Sequence, residues 1–420
     1  MNPIRAVKGM NDLFPEELAM WQFIEKTTHD VFSRFGYQEI RTPILEDLNL
    51  FVRSVGDSTD IVEKEMYVLK DRDDSLLALR PENTAGVVRA LVEHKTLVQE
   101  SEYKVYYLGP MFRRERPQKG RLRQFHQIGA EFFGIAEPSA DIELIAMLYQ
   151  YFKELGIDNL LLRLNSLGDP DDRKNYVIKL VEYYEGHRDA LCEDCKNRLT
   201  KNPLRLLDCK NPHCIEISKN VPEMTALLAD PSRSHFDAVQ QGLRQLNIPF
   251  ELAPRLVRGI DYYSRTVFEL IAITGLGAQN AVLGGGRYDT LTESLGGPKT
   301  PALGFACGIE RIAILLSEKG TQFPKRSPAL TFVSADAAGR DLAMKLSHEL
   351  RSRGVYADFD HKERSVKAQM RRADKIASQA IIVLGERELS EKSGQIKNLR
   401  TGEAKSISID LDGIISALRE

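Results

Sequence analysis

The segment RRERPQKGRLRQFHQIGAEFF, Arg113 to Phe133, sets Arg113, Arg114, Arg116, Lys119, Arg121 and Arg123 in its first eleven residues against a single acid there, Glu115, in a chain whose formal net charge is only -2. Charge so concentrated suits anions gathered at one place, although a solvated hairpin turn can carry it equally well. After the turn, strand alternation puts Phe125, Gln127, Gly129, Glu131 and Phe133 on one face, with Ile128, Ala130 and Phe132 on the other. Gln127 and Glu131 then stand about 13 Å apart along the strand, far enough to address two ends of a small ligand. Gly129 between them is expected to leave room above the sheet. Upstream, KVYYLGPMFR puts Tyr107, Gly109, Met111 and Arg113 on one face of a partner strand.

Three further segments hold residues suited to chemistry. In LRPENTAGVVRA, Pro81 ends a strand and Glu82, Asn83 and Thr84 open an amphipathic helix, either as capping groups or as acceptors for an ammonium group. In LVRGIDYYSRTVFEL, Arg258 precedes Gly259, and Tyr262 and Tyr263 follow. In ALGFACGIERIAILL, Gly304 and Gly308 bracket a buried strand and Arg311 sits on the first turn of an apolar helix, where it needs an anionic partner, a carboxylate or a phosphate. GGGRYD, from Gly284, matches no phosphate-loop pattern and is expected to let the backbone approach a pocket closely.

The elements that must position these residues follow from periodicity. Glu17 to Phe35 has helical spacing and ends at Gly36. YQEIRTPILE reads as a strand with Pro43 at an edge, bulge or interface. MYVLKD, SLLALRP, YKVYYLGPMFR, RQFHQIGAEFF, LLLRLNSL, RTVFELIAI and AVLGGGRYD read as further strands of a mixed or antiparallel sheet, so the fold class is α+β. A helical insertion is expected from about 169 to 247, opened by Asp169 and Pro170. Past the linker EKGTQFPKRSP, strands and helices alternate in a smaller α/β unit, so the expected domains are 1–324 and 325–420.

At 420 residues, 42% hydrophobic and 28% charged, the chain has the composition of a soluble globular protein, and no run approaches a membrane span. The absence of a signal-peptide pattern points to a cytoplasmic location. The near-neutral balance argues against nonspecific phosphate binding, so any nucleic-acid contact should be local. Cys192, Cys195, Cys209 and Cys214 approximate paired zinc knuckles, but the four-residue spacer in the second pair is loose, and reduced, partly buried thiols are preferred to a structural zinc. Cys307 reads as a small core residue.

Taken together and in this order, these segments resemble the histidyl-tRNA synthetases of bacterial type, within the class II aminoacyl-tRNA synthetases, from KGMNDLFPEE to the final helix. YQEIRTPILE is similar to the first class II motif, which makes the dimer interface in the family. GPMFRRERPQKGRLRQFHQIGAEFFG is similar to the second motif and GFACGIERI to the third, while LRPENTAG and LVRGIDYYSRTVFE are similar to the segments specific to histidine enzymes. The resemblance implies a six-stranded antiparallel catalytic sheet and a C-terminal anticodon-binding domain. It also implies a homodimer in which ATP, with Mg2+ carried largely on phosphate oxygens and water, activates L-histidine for transfer to tRNA(His).

Matching positions imply the roles. Arg113 clamps the histidine carboxylate and the α-phosphate, and Arg258 is a second α-phosphate arginine. Glu115, Arg121, Phe125 and Arg311 serve ATP, with adenine stacked on Phe125. Glu82, Thr84 and Gln127 receive the ammonium group, Glu131 and Tyr263 the two imidazole nitrogens, and Tyr262 lines the pocket. Asn83 stands where glycine is common in the family. Arg116 and Gln118 are expected to meet the tRNA acceptor end, and no protein metal ligands are expected at the catalytic centre. The alternatives are a noncatalytic regulatory subunit of ATP phosphoribosyltransferase, which usually lacks the last domain and much of the arginine set, and a generic RNA-binding protein.

Overall fold

Pro15 occupies the first position of the helix Pro15–Arg34, where its missing N–H costs no hydrogen bond, and Gly36, at φ 83°, turns the chain away after it. Trp21, Ile24, Val31 and Phe32 face inward from this helix onto a sheet. The computed structural model describes residues 3–56, 59, 61–277, 280–323 and 326–419. It divides into two compact units, Met1–Phe323 and Pro324–Glu420. Pro324 and Lys325, between which the sequence puts a domain boundary, lie outside the described residues.

In chain order the strands of the first unit are β1 (Gln38–Glu39), β2 (Leu45–Asp47), β3 (Tyr67–Lys70), β4 (Leu76–Leu79), β5 (Tyr103–Phe112), β6 (Gln124–Phe133), β7 (Leu160–Ser166), β8 (Phe250–Leu252), β9 (Ser264–Ala272), β10 (Ala281–Arg287) and β11 (Ala302–Gly308). The large sheet has the order β1-β5-β6-β11-β10-β9-β7-β8. Its inner strands, β5 through β7, pair antiparallel, while the short edge strands β1 and β8 add in parallel. The expected six antiparallel strands are therefore present, widened by two edges. YQEIRTPILE is not one strand: β1 joins the large sheet and β2 a separate β2-β4-β3 sheet. Pro43 lies in the break, where the lack of an N–H is harmless.

One face of the large sheet carries the main core, with Ile128, Ala130 and Phe132 of β6 against Phe32, Leu144, Tyr151 and Ile312 from the covering helices. The opposite face holds a smaller cluster with Tyr107, Met111, Phe133, Tyr262, Tyr263 and Tyr288, roofed by the helix Thr84–Glu93. Alternation along β6 thus sorts the residues as its sequence predicts.

The region expected as one helical insertion is two structures. Helices Pro170–Glu185, Glu193–Lys201 and Pro212–Ile217 surround their own core of Tyr176, Leu180, Tyr184, Leu199 and Leu206. The helix Asp230–Gln245 instead sends Phe236, Val239 and Leu243 into the main core. Its apolar stripe matches the sheet side, so the excursion ends before it.

The second unit contains β12 (Leu330–Ser334), β13 (Ala357–Phe359), β14 (Ala380–Leu384), β15 (Ser393–Asn398) and β16 (Ala404–Ser408) in the order β13-β12-β14-β15-β16. The first three pair in parallel across the expected helices. The antiparallel β15 and β16 were not read from the sequence, because SGQIKN and AKSIS are too polar to announce strands.

Candidate active site

Arg113, at the mouth of the hairpin joining β5 to β6, donates its Nε–H to the Pro81 carbonyl at 2.9 Å and lies over the Phe125 ring at 5.3 Å. Two separate segments therefore hold its guanidinium. Arg121 pairs with Glu115 at 2.8 Å, and Arg113 approaches the same carboxylate at 3.9 Å. Arg311 donates to the carbonyls of Gly120, at 3.3 Å, and Ala281. Both partners are neutral, so the carboxylate alternative for Arg311 finds no pair among the described residues. Burial and then the neighbouring Arg121 charge lower its pKa. Arg113 and Arg121 share one acid and Arg311 adds a third guanidinium with none among the described residues, which leaves a cavity that favours a polyanion.

On the other side, Arg258 donates to Glu269 at 3.2 Å and stands 5.8 Å over the Tyr263 ring. A Cβ on Gly284 would come within 1.6 Å of the Arg258 guanidinium, so this glycine is what admits the arginine. The cavity between these groups, about 260 Å³, is lined by Glu82, Thr84, Arg113, Glu115, Arg121, Phe125, Gln127, Arg258, Tyr262, Tyr263 and Arg311, among others. A second cavity of about 380 Å³, lined by Leu148, Phe152, Leu162 and Phe268 of the main core, gathers few polar groups and none of these residues.

Register puts Gln127 in the cavity's lining and Glu131 behind it, outside that lining. Pairing of β6 with β11 puts Glu131 beside Gly304 and Gln127 beside Gly308. A Cβ on Gly304 would lie 1.7 Å from Glu131 Oε2, so glycine is required for the carboxylate to fit. Glu131 is fully buried, accepts from the Thr84 hydroxyl at 2.7 Å and from the Tyr288 hydroxyl, and its pKa is pushed up to about 8, first by burial. Glu82 accepts from the backbone N–H groups of Thr84 and Ala85 at 2.7 and 3.0 Å. It therefore caps the helix and faces the pocket at once, with its carboxyl raised by burial. Gln127 Oε1 and Arg258 Nε are buried without a protein partner, two unpaired polar atoms on side chains that line the cavity.

Other expectations need correction. The space above Gly129 is not open, because the Tyr107 ring fills it, 2.2 Å from where a Cβ would be. Asn83 turns away from the cavity: its Oδ1 accepts from Thr42 and from Arg80, at 2.6 and 3.2 Å. Arg116 and Gln118, expected at the tRNA acceptor end and not in this cavity, need no such correction: they are exposed on the hairpin, outside its lining. Four residues escaped the sequence reading. Tyr288 holds Glu131, Glu269 holds Arg258, and Glu310 accepts from the His126 N–H at 2.9 Å in the cavity wall. Arg80 ties Thr42, Pro110 and Asn83 together. The available signals were the Tyr of GGGRYD, the Glu of RTVFEL, the Glu before Arg311, and the Arg before Pro81.

An antiparallel sheet with arginines from the β5–β6 hairpin and from the helix after β11, meeting over a buried amino-acid-sized floor, defines a class II aminoacyl-tRNA synthetase. The sequence pattern of the family described as Histidyl-tRNA synthetase matches residues 9–168 and 208–312, and that described as Anticodon binding domain matches 327–420. Similar proteins named Histidine--tRNA ligase include one from Trichlorobacter lovleyi, 49% identical over 99% of this chain and 98% of that protein, and one from Anaeromyxobacter sp. (strain K), 48% identical over 97% of each. The solved apo histidyl-tRNA synthetase of S. aureus superposes with a TM-score of 0.85 at 35% identity over the whole of both chains. The chain belongs to the histidyl-tRNA synthetase family, and it is a ligase that joins histidine to tRNA at the expense of ATP.

Proposed function

We propose that histidine activation runs in the cavity between Arg113 and Arg258, with each residue in the role its surroundings favour. ATP enters as its magnesium complex, adenine against Phe125 and the triphosphate along Arg121 and Arg311. Glu115 orients Arg121 and balances part of its charge. The Arg113 guanidinium spans the histidine carboxylate and the α-phosphate, two anions that repel each other until a fixed cation bridges them. A carboxylate oxygen attacks the α-phosphorus, pyrophosphate leaves, and Arg258 stabilises the charge that develops between them. The 3'-terminal adenosine hydroxyl of tRNA(His) then attacks the histidyl carbonyl and AMP departs.

Glu82, Thr84 and Gln127 receive the ammonium group. Glu131, seated by Thr84 and Tyr288, takes one imidazole nitrogen and Tyr263 the other, while Tyr262 closes the wall. Any side chain lacking two ring nitrogens would leave these buried groups unpaired, which is how the pocket selects histidine. The observation that carries this reading is one cavity that gathers Glu82, Thr84, Gln127 and Tyr263 with Arg113 and Arg258, with Glu131 buried behind the Thr84 hydroxyl.

Arg116 and Gln118, exposed on the hairpin, are assigned to the tRNA acceptor end, and the unit Pro324–Glu420 to the anticodon. Exposed Ile44, Leu45, Val68, Leu69 and Leu76 form an apolar surface around the β2-β4-β3 sheet that suits a homodimer contact. No helix among the described residues is long and apolar enough to cross a membrane, in keeping with a cytoplasmic enzyme. A regulatory subunit without catalysis would have no use for the arginine set. Histidine-dependent exchange of labelled pyrophosphate into ATP tests the reading, and its absence in folded, dimeric protein overturns it.

A further inference from the structure

The four cysteines of the insertion are drawn together by the fold. Their sulfur atoms all lie within 4.8 Å of one another, and Cys192 Sγ is 3.8 Å from Cys209 Sγ. All four are free thiols. Four thiolates around a tetrahedral zinc, each about 2.3 Å from the metal, stand about 3.8 Å apart. The sulfurs are also served by backbone donors: the Cys192 N–H points at Cys214 Sγ at 3.3 Å and the Asn211 N–H at Cys209 Sγ at 3.4 Å. Such N–H···S bonds orient thiolate ligands from outside the metal shell. The loose spacer that argued against a metal in the sequence is taken up locally. Asn211 caps the helix Pro212–Ile217, and that first helical turn carries Cys214 back to the cluster.

The chain between Cys195 and Cys209 then reaches the catalytic unit. Asn202 donates its Nδ2–H to Asp261 Oδ1 at 2.9 Å, and Arg205 donates to the Gly259 carbonyl at 3.2 Å. Gly259 to Asp261 is the link between Arg258 on one side and Tyr262 and Tyr263 on the other. From the preceding helix, Arg173 donates to the Asp261 carbonyl at 2.7 Å. The cysteine cluster thus closes the base of a loop whose tip braces the segment holding an arginine and two tyrosines of the cavity.

We propose that Cys192, Cys195, Cys209 and Cys214 bind one zinc ion as a tetrathiolate, and that this knot, through Asn202 and Arg205, positions the 259–261 link and with it the histidine pocket. Binding releases the thiol protons and leaves a site of charge -2 around the metal, offset by Lys196, Arg198 and Lys210 in the same stretch of chain. Soft sulfur donors in tetrahedral array select zinc over magnesium or calcium. The small core of the insertion, mostly short helices and turns, is the kind of structure that a metal cross-link stabilises. The positioning half of the proposal rests on the reading of Arg258, Tyr262 and Tyr263 given above, whereas the metal half stands without it.

The full-length chain, purified reduced and without chelator, should carry about one zinc per chain. Replacement of the metal by cobalt should give the strong sulfur-to-cobalt charge-transfer and tetrahedral d–d absorption of a tetrathiolate. Cys195→Ser and Cys209→Ser should each lose the zinc, lower the Tm, and raise the KM for histidine in pyrophosphate exchange by about fivefold, with a smaller change for ATP. Asn202→Ala should keep both zinc and Tm and still raise the histidine KM, which separates positioning from folding even if the cysteine variants do not fold. Fewer than about one zinc per ten chains after exposure to zinc, with four titratable thiols or with disulfides instead, would overturn the metal site. A bound zinc with an unchanged histidine KM in Asn202→Ala would overturn the positioning role.

Discussion

The Thr84 hydroxyl donates to Glu131 Oε1 at 2.7 Å, joining the first residue of the helix Thr84–Glu93 to the last third of β6. In the proposed assignment Thr84 acts on histidine through Glu131 as well as directly. Replacing Glu131 by Gln keeps the shape but removes the carboxyl that can share a proton with the imidazole, and should lower kcat/KM for histidine by about 10- to 100-fold while leaving the KM for ATP nearly unchanged. Steady-state pyrophosphate exchange with each substrate varied in turn is the measurement.

The pH dependence of that step follows from the same contact. With its pKa at about 8, Glu131 holds its proton in the free enzyme at neutral pH. Free histidine loses its ring proton near about 6.5. A complex that shares one proton between Glu131 and the imidazole forms without proton exchange between those values. Above about pH 8 it must take up a proton and below about 6.5 it must release one, so the histidine KM should rise about tenfold per unit on either side. The Glu131→Gln variant should lose the upper limb, and an identical upper limb there would assign it to another group.

Gly284→Ala aims a methyl group at the Arg258 guanidinium, the movable end of a long side chain, and less closely at anything fixed. The fold should survive with little change in Tm, while the exchange rate should fall by about 10²- to 10³-fold, as in Arg258→Ala. Activity retained at the parent level would place Arg258 outside the reaction.

Arg287 is fully buried, within hydrogen-bonding reach of Asp141 at 2.8 Å, and it also donates to the carbonyls of Ile135 and Glu137 and, at 3.4 Å, to Asp289. His235 Nε2 lies 3.3 Å from the same aspartate. Arg287→Met should destabilise the chain by about 3–5 kcal/mol, because Asp141 would be left charged and buried. The double variant with Asp141→Leu should recover much of that loss in chemical denaturation.

Arg116→Ala should lower kcat/KM for aminoacylation of a truncated acceptor-stem helix by about tenfold, the loss of one charge-assisted contact, and affect pyrophosphate exchange less. Equal aminoacylation by parent and variant would remove Arg116 from the tRNA contact.

Local order decided much of this protein. Alternation along QFHQIGAEFF is a property of the extended chain, so Gln127 and Glu131 had to share a face opposite Ile128 and Ala130 in any sheet that used them. The helical spacing from Glu17 to Phe35, within the helix Pro15–Arg34, the helix start at Pro170, and the cation-rich hairpin ending in Arg121 and Arg123 were legible for the same reason: each depends on residues only a few positions apart. Contacts between distant segments were not legible. That Tyr288 would hold Glu131, that Gly304 and Gly284 would clear space for Glu131 and Arg258, and that Tyr107 would fill the gap over Gly129 all depend on strand order and register. The same holds for the cysteines, whose spacing alone argued against a metal until one helical turn brought Cys214 to the others. Sequence specifies which face a side chain takes and what charge it brings; only tertiary pairing of chains far apart determines what that side chain meets, because burial, and the pKa of a group such as Glu131 with it, belongs to the assembled site.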